Sequence, residues 1–129
     1  MRFRTLAVAL FCTGLLAQEG HPLRGTWHGT WGMNAKERTT VTLVMDWDGA
    51  NITGMMNPGL RSSKLEKTQL NPTGWVFHFE TDVKDRTTGA VSHVVVDAKI
   101  EDVTSPRRSL VGTWTQGTLK GDFKAVRDN

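Results

Sequence analysis

The chain has 129 residues, 38% of them hydrophobic, with a single cysteine, Cys12. A length of this order supports one domain, and one thiol excludes an intramolecular disulfide and any multi-cysteine metal site. Sixteen Lys and Arg face thirteen Asp and Glu, interspersed without a run of one sign, so the electrostatic footprint of a nucleic-acid or anionic-membrane binder is missing.

Arg2 and Arg4 supply a positive leader, Leu6 to Leu16 form an apolar run broken by Thr13 and Gly14, and Ala17 offers a small residue for cleavage. Residues 1–17 therefore read as a signal peptide. The run is too short for a transmembrane helix, which needs about 20 apolar residues. Lipidation at Cys12 would need a small residue before it, where Phe11 stands. The expected product is an exported protein, periplasmic or secreted, whose single domain spans residues 18–129. It has no thiol, no membrane span after cleavage and a net charge of +1, because Arg2 and Arg4 leave with the leader.

From Leu23 onward the chain alternates with period two in short segments separated by turn residues, the signature of an antiparallel barrel or sandwich. Leu23, Gly25, Trp27, Gly29, Trp31 and Met33 share one face of the first strand. Val41, Leu43, Met45 and Trp47 share one face of the second, and Asp48-Gly49 supplies a hairpin turn into Asn51–Met56. Lys64–Leu70 has no clean apolar face and reads as an edge or irregular strand. Trp75, Phe77 and Phe79 then alternate with Val76, His78 and Glu80. Val94, Val96, Ala98 and Ile100 form the next inward set, followed by Leu110, Gly112 and Trp114, and by Leu119, Gly121, Phe123 and Ala125. About eight strands joined by short connections predict an all-β, up-and-down antiparallel barrel. Inward glycines would make room for the large rings.

Gly25-Thr26-Trp27 on the first strand and Arg127 at the end of the last resemble the Gly-x-Trp and terminal Arg of the calycins, the lipocalin-like barrels. The repeated Gly112-Thr113-Trp114 and the ending Gly121 to Arg127 make the chain similar to small uncharacterised exported bacterial proteins of that fold. The resemblance implies that Trp27 plugs one barrel end, entered through Gly25, and that Arg127 covers the ring. A guanidinium over an indole gains about 0.5 to 2 kcal/mol.

No set of residues converges on a reaction. His28, His78 and His93 fall on outer faces, as do Asp46, Glu80, Asp97, Glu101 and Asp122, so neither a metal site nor a carboxylate pair for glycoside hydrolysis is assembled. His78 and Asp97 can face each other across neighbouring strands as a solvated pair. No catalytic residue, metal or cofactor is expected. The inward set Trp31, Met33, Met45, Trp47, Met56, Phe77, Phe79, Trp114 and Phe123 forms either the core or the wall of a site for one small apolar ligand, since an eight-stranded barrel admits both. The leading expectation is a non-enzymatic binding barrel. The alternatives are a β-sandwich of the cell envelope that binds carbohydrate or protein, and, less favoured, a hydrolase. The oligomeric state is left open.

Overall fold

The computed structural model describes residues 21–59, 62–85 and 87–128. Nine strands follow one another: β1 (Gly25–Gly32), β2 (Arg38–Trp47), β3 (Ile52–Met56), β4 (Ser63–Lys64), β5 (Glu66–Asn71), β6 (Val76–Lys84), β7 (Val91–Glu101), β8 (Ser109–Gln116) and β9 (Leu119–Arg127). They form one antiparallel sheet in the order β4-β3-β2-β1-β9-β8-β7-β6-β5. Consecutive strands pair with each other, β4 and β5 excepted, and β1 pairs with β9 through Trp27 and Arg127 at one end and Gly32 and Asp122 at the other. Because β4 and β5 are two halves of one run, the sheet returns on itself as a nearly closed up-and-down barrel. The nine ladder elements thus match the roughly eight strands expected. A two-sheet sandwich is overturned by this continuous ladder.

The closing run is the segment whose alternation is weakest. Residues Ser63 and Lys64 pair with Met56 and Met55 of β3, whereas Glu66 to Asn71 pair with β6, with a register shift between Glu66 and Gln69. Leu65 turns inward, 4% exposed, and its N–H donates to Gly54 O at 3.0 Å. Lys67 takes a positive φ of 50°, the kind of backbone a bulge uses to turn a strand. Thr68 Oγ1 donates to Ile52 O at 2.7 Å and Thr81 Oγ1 to Lys64 O at 2.8 Å. Side-chain hydroxyls thus bridge the seam where the backbone ladder is interrupted.

Period-two alternation places one face of every long strand in the core. Phe77, Phe79, Val94, Val96, Leu110, Phe123 and Ala125 are fully buried. Phe79 packs between Phe77 and Phe123, with ring centroids 5.4 and 6.3 Å away. Gly112 is required where β7 and β8 approach, since a Cβ there would collide with the carbonyl oxygen of Asp97. The turn between β2 and β3 is closed by Asp48, whose Oδ1 accepts the N–H groups of Ala50 and Asn51 at 2.9 and 2.6 Å. Gly49 supplies the positive φ that this turn needs.

Trp27 is fully buried at the end of the barrel where β1 begins. Its Nε1–H donates to Leu23 O at 2.9 Å, so the segment ahead of β1 folds across that end. Arg127 lies opposite Trp27 in the ladder. The guanidinium that ties this end down by hydrogen bonds, however, is that of Arg108, donating to Pro22 O at 2.9 Å and to Ser105 O at 3.1 Å. Gly25 enters β1 with a φ of 129°, open to glycine and strained for other residues.

Two inward expectations fail at strand ends. Met33 is 50% exposed, because β1 stops at Gly32 and Asn34 Oδ1 caps the next turn by accepting from Lys36 and Glu37 N–H. Leu119 is 46% exposed, as the first residue after the Gly117 turn, at the rim where no strand lies above it. Residues 1–17 lie outside the described residues. Truncating the fully buried plug, Trp27→Ala, is expected to cost about 3 to 5 kcal/mol in denaturant unfolding; a change within error of zero would show that the ring does not close the barrel.

Candidate functional site

The proposed ligand-facing residues separate into two groups. Met45, Met56, Phe77, Phe79, Trp114 and Phe123 are buried, each 6% exposed or less, and pack in the common core. Trp31 and Trp47 are only partly buried and sit near opposite ends of the barrel. Trp31 meets Trp114 edge to face at 5.3 Å, and Trp114 Nε1–H donates to Gly32 O at 3.3 Å. Met33 has left the interior altogether.

Trp47 borders a cleft of about 360 Å³ on the β3 side of the β2 terminus, walled by Ile52, Thr68, Leu70 and Pro72. It opens beside the bridged seam between β3 and β5, where no continuous strand ladder fills the wall. His21 stacks on Trp47 with centroids 4.6 Å apart and planes 17° from parallel. Burial, and then the charge of Arg108, lower the His21 pKa. The ring is therefore neutral at pH 7. Its Nδ1 accepts the N–H of Leu23 at 3.2 Å, which fixes the proton on Nε2 and directs a single donor outward.

The outer face carries a second constellation, of which alternation disclosed one pair. His78 Nδ1 bonds Asp97 Oδ1 at 2.7 Å and His78 Nε2 bonds Glu80 Oε2 at 3.0 Å. The other oxygen, Glu80 Oε1, meets His93 Nε2 at 2.7 Å, and His93 Nδ1 meets Asp82 Oδ1 at 2.8 Å. Lys67 Nζ lies 3.7 Å from Glu80 Oε1. The register makes this row: His78 faces Asp97, and Asp82 faces His93, across β6 and β7. Glu80, Asp82 and His93 were missed because each reads singly as an exposed polar residue. The available signal was the outward series His78, Glu80, Asp82, which needed only the register of β7 to complete it.

Each imidazole has carboxylate oxygens at both nitrogens, and only the doubly protonated ring can donate to both. Partial burial pulls the His78 pKa down, but the bonds to Glu80 and Asp97 and their charges outweigh it, so the net shift is upward. The His93 pKa rises through its bonds to Glu80 and then Asp82. Donation from His93 and then His78 holds Glu80 down at about 2. Among the described residues no group of three or more His, Cys, Asp or Glu is arranged to hold a metal ion. When both rings are protonated, the row is a cross-strand clamp of two imidazolium cations and three carboxylates.

No family model, no curated protein and no solved structure matches the chain.

The clamp makes stability depend on pH in two directions. A raised His pKa contributes stability that is complete below the unfolded value of 6.5 and is lost as pH climbs through the folded values. A lowered Glu pKa contributes stability that is present above the unfolded value of 4.5 and is lost as pH falls through about 2. The stability difference between wild type and Glu80→Gln is therefore expected to be largest between these two unfolded values and to shrink on either side. Thermal melts across pH check this; a difference that does not vary with pH would contradict it.

Proposed function

We propose that the protein is a non-enzymatic barrel that holds a small, mostly apolar molecule in the cleft beside Trp47. What supports this reading above the interior is the contrast in burial: the inner rings are packed against one another, whereas Trp47 keeps part of its indole open to a recess. A volume near 360 Å³ falls in the range of small-molecule sites, about 300 to 1,000 Å³. Ile52, Leu70 and Pro72 supply apolar contact. Thr68 is already spent on the seam; the His21 Nε2–H supplies a donor whose tautomer is fixed, and Asn51 and Gln69 also line the cleft. The matching ligand has a flat or short apolar body and one acceptor, such as a hydroxyl or carbonyl oxygen.

The calycin-like character of the barrel agrees with a carrier or sensor role, and the leader read at residues 1–17 assigns that role to the periplasm or the exterior. The protein needs no cofactor for it. Intrinsic tryptophan fluorescence titrated with naphthol, retinol and medium-chain fatty acids is expected to saturate with at least one of them. Trp47→Ala should weaken that binding by about tenfold or more, since losing an aromatic contact of 0.5–1.5 kcal/mol adds to lost area burial. The same variant should destabilise the fold less than Trp27→Ala. A flat response across the panel, or saturation unchanged by Trp47→Ala, would sink the assignment.

A further inference from the structure

A second recess, of about 370 Å³, opens at the same barrel end on the β1 side of β2, among Arg24, Thr26, Asp46 and Arg127. Arg127 is half-buried there, and its Nε is shielded from water without a hydrogen-bond acceptor. Among the described residues no carboxylate pairs with it. Its backbone N–H donates to Arg108 O at 2.8 Å, so a second guanidinium stems from the residue just ahead of β8. Among the described residues the Arg108 guanidinium has the carbonyl oxygens of Ser105 and Pro22 as its partners. Burial, and then the charge of Arg127, lower its pKa. Of the carboxylates at this end, Asp46 lines the recess and pairs with Arg24, and neither it nor Asp128 pairs with Arg127. Asp46 Oδ1 accepts Trp47 N–H at 2.8 Å and meets Arg24 Nε at 3.4 Å. Asp128 reaches His28 Nε2 at 3.4 Å.

Two neighbouring cations without an anion, one of them with a buried unpaired donor, form an arrangement that a protein ordinarily avoids. An unsatisfied buried donor costs about 1–3 kcal/mol, and a guanidinium fork matches the paired oxygens of a carboxylate or phosphate. We propose that this recess binds a compact oxyanion, a phosphate or carboxylate group, with Arg127 as its anchor and the exposed Arg24 as the second cation. The anion would supply the acceptor that the Arg127 guanidinium lacks and would relieve the repulsion between Arg127 and Arg108. The assignment does not depend on the Trp47 cleft, which lies on the other side of β2, and an apolar-ligand panel that fails there leaves it untouched.

The test is a titration of the intact protein with inorganic phosphate, and separately with acetate, at constant ionic strength, followed by proton–nitrogen spectra of the arginine side chains. The expected result is a saturable shift of the Arg127 Nε–H resonance. Arg127→Lys, which keeps the charge and loses the fork, should weaken binding by about tenfold. Arg24→Gln should weaken it by about threefold, as befits an exposed charge, without altering the melt. Preference for phosphate assigns the site to phosphate groups and preference for acetate assigns it to carboxylates. An Arg127 resonance that neither anion moves, or that chloride moves equally, overturns the proposal. If Arg127→Lys does not fold, the wild-type titration and Arg24→Gln decide.

Discussion

A sheet leaves unpaired N–H and C=O groups along its outermost strands, and an eight-stranded antiparallel sheet stays soluble most simply by having no such strands. In this protein that condition is nearly met, and at one place, the run from Ser63 to Asn71, which gives its first residues to β3 and its later ones to β6. The run turns from one partner to the other at Leu65: Ser63 and Lys64 pair with β3, and Glu66 already pairs with Glu80 of β6, ahead of the register shift between Glu66 and Gln69. Everything else about the interior follows from it. Once the ends of the sheet meet, inward positions on opposite walls face each other, and Phe79 can pack against both Phe77 and Phe123. The same turn is imperfect. Hydroxyls from Thr68 and Thr81 take the place of backbone bonds, and the wall beside them is where the Trp47 cleft opens.

Much of this architecture was legible because burial in a sheet follows period two, and large side chains on one parity leave little ambiguity. Phe77 and Phe79, or Val94, Val96 and Ala98, announce their face without help from neighbours. Alternation cannot say where a strand stops, and so Met33 and Leu119, in phase with the interior, nonetheless project from its rim. Nor could Lys64–Leu70 reveal its role, because a strand that changes partners has no single inward parity to display.

The polar features were less legible for a different reason: they belong to pairs of strands. The row from Asp97 to Asp82 exists only because β6 and β7 are set in one register, and one residue of slip would scatter it. Arg127 lies opposite Trp27 in the ladder, and Arg108 makes the bonds that hold Pro22 across that end. Two arginines adjacent through the β8–β9 ladder are far apart in sequence, and which of them finds carbonyl oxygens depends on the path of the loop after Glu101. The clusters of charge at the two faces therefore differ in kind. On β6 and β7 opposite charges meet each other, whereas at the closed end Arg108 and Arg127 lie together with no carboxylate paired to either among the described residues.

The pairing of β1 with β9 carries a consequence for how the molecule comes into being. A first strand whose partner is the last one made must wait for the whole chain before half of its backbone groups find acceptors, and the plug at Trp27 is exposed until then. Such maximal sequence separation slows folding. A chain made from its N-terminus onward would thus hold β1 against β2 alone until the residues of β9 had followed.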